Sequence, residues 1–228
     1  MNYEILTGRE EFDLVEIEKV KVNKNIISDF LKLKELAKKE INADLQIISG
    51  HRNFERQELI WNQKAFGKRS LFDKDGNELD FNLLSNQEIL EAILNWSAIP
   101  GASRHHWGTD IDIFDANLLT KDKVQLTHAE CINGGIFEKL HLWLDEKIQT
   151  NSSFGFFRPY NTDKGEDSVA IEKWHLSYAP LSNLYLDNFT LEFFIKNLNQ
   201  SQMEFKDLLQ ENVDKYFNYI TKVDRSPF

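Results

Sequence analysis

Ser103-Arg104-His105-His106-Trp107-Gly108-Thr109-Asp110-Ile111-Asp112 changes character halfway along its length. It follows Pro100-Gly101, a turn dipeptide, and carries two adjacent histidines. Gly108 lets the chain turn, and Gly108–Asp115 (GTDIDIFD) then alternates in the manner of a strand. An ionised aspartate among isoleucines is costly unless it is paired or bound to a metal. A second stretch, VAIEKWHLSY (169–178), sets Glu172 and His175 in an apolar run, and Val169–Leu176 reads as another strand. One imidazole from the loop, one strand carboxylate and a second imidazole form a three-ligand zinc set with a fourth position open to water. Glu172 stands three residues before His175, near enough to serve as a proton acceptor without being a ligand. In a straight strand these two side chains would face opposite ways, so a bend or bulge is expected near Lys173-Trp174.

Outward from these stretches, Ile26, Ile27, Phe30, Leu31, Leu33, Leu36 and Ala37 at helical spacing, with Lys and Glu between them, predict an amphipathic helix over 23–41. Leu45–Ser49 (LQIIS) reads as a short strand ending at Gly50, and 53–66 is helical in composition. LFDKDGNELDF (71–81) sets Asp-Gly between alternating apolar residues, a hairpin signal. Asp73, Asp75 and Asn77 are not a calcium loop: Glu78 stands where glycine is needed, and Leu84 where a closing glutamate is needed. Ser85-x-x-Glu88 is a capping box opening a helix over 85–99. A helix follows over 137–148, then a strand at Phe154–Phe157 and a polar loop, Asn161–Asp167. From Thr190 two helices are expected, broken near Asn199–Ser201. This mixture indicates an α+β fold.

The 228 residues suit one domain with an appendage, and 41% hydrophobic with 28% charged residues is a globular composition. A net charge of −10 with no basic block argues against nucleic-acid partners. No apolar run approaches the ~20 residues of a membrane span. The opening residues, MNYEILTGREEFDLVEIEK, do not read as a signal peptide. A cytoplasmic location is the expectation, or the periplasm or cell envelope if a leader precedes this sequence. The single Cys131 permits neither an intrachain disulfide nor a cysteine-rich zinc site, and reads as an ordinary thiol.

The pattern S-x-H-x-x-G-x-x-x-D followed by E-x-W-H resembles the LAS-type zinc peptidases. These include VanY-like D-alanyl-D-alanine carboxypeptidases, VanX dipeptidases and related murein peptidases. Ser49-Gly50-His51-Arg52 followed by Gln57 is similar to the family's S-G-Y-R…Q segment. The order of the three segments agrees over roughly residues 45–180. The resemblance implies a hedgehog/DD-peptidase-like fold, a small mainly antiparallel sheet flanked by helices. It implies a zinc peptidase domain over 1–185 and a C-terminal helical extension over 186–228, packed on the same domain. It places Zn2+ on His105, Asp112 and His175, the general base on Glu172, and substrate and oxyanion binding on Arg52. Ser103 and Gln57 match residues that help to hold the substrate's terminal peptide. The implied substrate is a peptidoglycan stem peptide or small D-amino-acid-containing peptide. The implied reaction is zinc-dependent release of terminal D-Ala, with LD-carboxypeptidase, dipeptidase and endopeptidase activities as alternatives within the family.

The sequence departs from that pattern in three places. His51 replaces the usual tyrosine, Asp110 replaces a small residue two before the metal aspartate, and about fifty residues follow the last motif. Asp110 shares strand parity with Asp112 and so faces the same side. His106, His128 and His141 read as surface, capping or packing residues, and Trp107, Trp174 and the aromatics of 154–160 as core or pocket wall. A non-catalytic zinc-holding module is the alternative from another class, and Glu172 argues against it because a structural zinc needs no free carboxylate.

Overall fold

The computed structural model describes residues 2–165 and 168–226. In chain order its helices are α1 (Tyr3–Leu6), α2 (Ile27–Ile41), α3 (Phe54–Ala65), α4 (Asn86–Trp96), α5 (His128–Cys131), α6 (Glu138–Gln149), α7 (Ala179–Asn188), α8 (Leu191–Gln200), α9 (Lys206–Glu211) and α10 (Val213–Thr221). The strands are β1 (Leu14–Ile17), β2 (Val20–Asn23), β3 (Leu45–Ser49), β4 (Leu71–Phe72), β5 (Glu78–Leu79), β6 (Asp110–Asp115), β7 (Phe156–Phe157) and β8 (His175–Tyr178). Two hairpins, β1-β2 and β4-β5, flank a four-stranded antiparallel sheet in the order β3-β6-β8-β7. The fold is α+β, with small antiparallel sheets.

Strand β6 is buried along its whole length, and its alternation divides the molecule. Ile111 and Ile113 enter one apolar cluster with Phe30 and Leu33 of α2 and Leu140 and Leu144 of α6. Asp110 and Asp112 face the other way. On that side a second cluster joins Trp61 of α3, Leu90 and Ile93 of α4, and Phe194, Leu209 and Tyr216 of α8–α10. The C-terminal helices therefore share a core with α3 and α4. They also grip the loop before the histidine pair: the Asn197 amide donates to the Pro100 carbonyl at 2.7 Å. Gly101 sits against that side chain with φ +82°, and a Cβ there would lie 2.0 Å from Asn197 Oδ1, so only glycine fits.

Several elements differ from the sequence expectation. Val169–Trp174 is not strand. The Ala170 and Glu172 amides donate to Asn95 and Tyr160 carbonyls, and only His175–Tyr178 joins the sheet. The expected bend is a turn, with the His175 amide donating to the Glu172 carbonyl at 3.2 Å. The C-terminus forms three helices, with a break at Asn212 (φ −133°, ψ 47°). Hairpin β1-β2 and helix α7 were not anticipated. The hairpin turns on Glu18 and Lys19, both at positive φ, without the Gly or Asn that signals such turns. Of the polar loop at Asn161–Asp167, the last two residues lie outside the described ones.

His106 ties these parts together. Its Nδ1–H donates to the Arg52 carbonyl at 2.6 Å, and its Nε2 accepts from the Gly101 amide at 3.0 Å. Both nitrogens are committed to the neutral ring, and burial pushes its pKa down to about 3. In the unfolded chain it titrates near 6.5. Its contribution is therefore fully present above ~6.5 and is lost as pH falls toward about 3, because the unfolded state binds the extra proton first. Thermal unfolding in chelator across this window should fall with pH, and His106→Gln should flatten the slope by up to ~1.4 kcal/mol per pH unit. Equal slopes in the two proteins would show that His106 is not the titrating group.

Candidate metal centre and active site

Sheet register assembles the centre. Asp112 is paired across β6-β8 with His175 and across β6-β3 with Ser49, where the register shifts between Ile47 and Ser49. Directly opposed residues hold their Cβ atoms ~5 Å apart. His105 arrives from the 3-10 turn Arg104–Trp107, which Gly108 ends at φ +65°. One donor atom from each of His105, Asp112 and His175 lies within 4.8 Å of the others, and all three residues are buried.

Hydrogen bonds fix which atoms converge. His105 Nδ1–H donates to the Gly50 carbonyl at 2.8 Å, which turns the Nε2 lone pair toward Asp112 Oδ2, 3.5 Å away. His175 Nε2–H donates to Asp110 Oδ1 at 3.0 Å, leaving Nδ1 3.4 Å from Asp112 Oδ1. Asp112 Oδ1 is buried and has no hydrogen-bond partner among the described residues. With both rings neutral, three acceptors thus face one point with no donor between them, an arrangement that a cation completes. Two imidazoles and one carboxylate at that point fit zinc.

Electrostatics agree with this chemistry. Burial pushes the His105 pKa down to about 4, so its ring stays neutral and available to a metal. Burial alone would also depress His175. The carboxylates of Asp110, Asp112 and Glu172 overcome it and raise this imidazole well above its ordinary value. Without a metal it holds a proton, which a metal must displace. Asp112 remains ionised, because His105 and His175 outweigh the desolvation that would raise its pKa. Asp110 does likewise, held down by Arg104 and His175.

Asp110 is the departure that the structure explains. It is fully buried, accepts from Arg104 Nε at 2.7 Å and Thr109 Oγ1 at 2.8 Å, and orients His175. Arg104 continues to Ser177 Oγ at 2.6 Å, and Ser177 to Ser182 at 2.8 Å. A carboxylate behind a ligating imidazole fixes its tautomer and raises its basicity.

Around the centre is a cavity of about 720 Å³, within the range of small-ligand sites. Glu172 stands at its edge with Oε2 3.4 Å from His175 Nδ1, and burial raises its carboxyl above the usual range. Arg52 lines the wall, with Nη1 donating to Gln57 Oε1 at 2.8 Å. Gln57 is fully buried behind it and spends its amide nitrogen on the Ala98 carbonyl at 2.7 Å. It therefore positions Arg52, where the resemblance implied a contact with substrate. Ser103 lines the cavity beside His105. His51 lies against β2, its amide donating to the Lys21 carbonyl at 2.7 Å. Sequence reading did not single out Lys64, Trp96 or Tyr160 individually. Trp96 stacks on Trp174 at 6.1 Å, and the Tyr160 ring meets His175 at 5.1 Å. Burial raises the Tyr160 pKa to about 12, which keeps its hydroxyl protonated.

Asp110→Asn keeps the side-chain size and removes the charge behind His175. It should weaken Zn2+ binding by about 10–100-fold in a competition titration. Unchanged affinity would mean that the strand alone orients His175.

The family model of VanY, D-alanyl-D-alanine carboxypeptidase, matches residues 19–181, well over half of the chain. An uncharacterized protein of Haemophilus influenzae is 34% identical over 121 residues, covering 53% of this chain and 90% of that one. Among solved structures, the vancomycin-resistance D,D-pentapeptidase VanY of a VanB-type cassette, a mutant in complex with Zn(II), superposes with a TM-score of 0.52 at 23% identity, covering 77% of this chain and 84% of that one. VanYB in complex with D-alanine-D-alanine gives a TM-score of 0.52 at 22% identity, covering 86% and 92%. These superpositions show the shared fold, and with the sequence match they place the chain in the VanY family of D-alanyl-D-alanine carboxypeptidases.

Proposed function

We propose that this protein is a zinc-dependent carboxypeptidase that hydrolyses the terminal peptide bond of peptidoglycan stem peptides, releasing D-Ala. The observation that carries the reading is Glu172. It sits 3.4 Å from a ligand atom of the three-residue cluster yet is not needed to complete that cluster. A structural metal has no use for a free, desolvated carboxylate in a cavity wall, whereas hydrolysis does. The family match and the Zn(II) bound by a related VanY support zinc as the metal.

Zinc held by His105, Asp112 and His175 supplies a Lewis acid and makes water more acidic. Glu172 accepts the proton of the attacking water and returns it to the departing amine. Its raised pKa suits both halves of that task. Arg52, held in place by Gln57, offers its guanidinium to the charge that develops on the carbonyl oxygen. Ser103 and the Trp96–Trp174 stack shape the channel in which the peptide lies.

Glu172→Gln preserves the shape and removes the base. It should retain one zinc per chain while turnover drops about 10²–10⁴-fold. Joint loss of metal and activity would make Glu172 a ligand. Arg52→Lys keeps the charge but cannot rebuild the planar fork. It should lose about 1–3 kcal/mol of transition-state stabilisation, with kcat and kcat/KM falling together. A loss confined to KM would assign Arg52 to ground-state binding.

A further inference from the structure

Lys64 lies two turns along α3 from Gln57, on the face that presents Arg52 to the cavity. Its Nζ donates to Ser97 Oγ at 2.7 Å. Among the described residues no carboxylate oxygen lies within 4.0 Å of it. The other lysines held close to the protein surface are different: Lys34, Lys147, Lys164 and Lys173 each meet a carboxylate. Burial pushes the Lys64 pKa down to about 8, and the ammonium feels the charges of both Glu172 and Arg52. A half-buried ammonium whose one direct partner is neutral has two N–H groups to spare and no carboxylate in contact with it among the described residues.

We propose that Lys64 binds a carboxylate of the peptide substrate, at its C-terminus or on a side chain, while Arg52 serves the scissile carbonyl. The inference rests on the peptidase reading above and adds to it a residue that selects for a charged group. A peptide backbone is neutral except at its ends, so the anion that reaches this ammonium is a terminal or side-chain carboxylate. With the cation on the wall that also carries Arg52, a terminal carboxylate would make the enzyme favour free chain ends over internal bonds. The side-chain alternative would make it selective for acidic stem residues.

The test uses the zinc-loaded full chain and three synthetic stem pentapeptides: one with all carboxylates free, one amidated at the C-terminus, and one amidated only on its acidic side chain. Lys64→Met keeps the length and removes the charge, and Lys64→Arg restores a cation. Lys64→Met should raise KM about 10–100-fold for the free acid, with kcat changed by no more than a few-fold. It should also abolish the wild-type preference for the acid over one of the two amides. The amide whose disadvantage disappears identifies the carboxylate, and Lys64→Arg should recover part of the preference. An unchanged KM together with unchanged acid-over-amide preference in Lys64→Met overturns the proposal. Should Lys64→Met fail to fold, Lys64→Gln replaces it under the same criteria. Calorimetric binding of the same peptides, wild type against variant, separates the two claims. If no peptide is hydrolysed, the peptidase reading fails by itself. In that case Lys64 is overturned if the wild type binds the acid no better than both amides, or if Lys64→Met binds the acid with the same affinity and the same preference as the wild type.

Discussion

The register of β6 against β8 is the constraint on which the site depends. It sets Asp112 opposite His175 and Asp110 opposite Ser177. A slip of one residue would turn both aspartates into the apolar cluster under α2 and α6, and Ile111 and Ile113 into the cavity. Burying those two isoleucines against Phe30 and Leu33 thus holds the ligand carboxylate in place. The packing that stabilises one face of the sheet fixes the chemistry of the other.

The convergence of three acceptors has a cost that the surrounding residues offset. Left to themselves, two lone pairs and a carboxylate repel, and His175 relieves this by holding a proton. Around a cation the same atoms become a complete donor set. The Asp110–Arg104–Ser177–Ser182 chain lets His175 face the centre in one tautomer, and the Gly50 carbonyl does the same for His105. Arg104 balances the charge of Asp110, so an acidic residue is accommodated where the family pattern has a small one. Helix α8 steadies the preceding loop through Asn197, which connects the C-terminal helices to the site.

Much of this was legible in the sequence for physical reasons. The amphipathic α2, the capping box of α4 and the alternation of β6 are local signals, and the structure carries them as read. The turn between Glu172 and His175 followed from strand parity alone. What the sequence hid depends on distant partners. Val169–Glu172 looks like strand because it is mostly apolar, but the Ala170 and Glu172 amides donate to carbonyls of a helix end and a loop instead of a neighbouring strand. The β1-β2 turn has no glycine to announce it. Gln57 and Arg52 belong to one motif, yet only the fold shows that one stands behind the other. Lys64 resembles any other helix lysine until the fold sets it in the cavity wall with Ser97 as its direct partner.

The most direct test is mass spectrometry of a muramyl-type pentapeptide ending in D-Ala-D-Ala, incubated with zinc-loaded protein, with chelator-stripped protein, and with stripped protein given zinc again. The account predicts loss of a single terminal alanine in the first and third reactions and intact peptide in the second. Cleavage that persists after stripping, or an intact pentapeptide in all three, would contradict it.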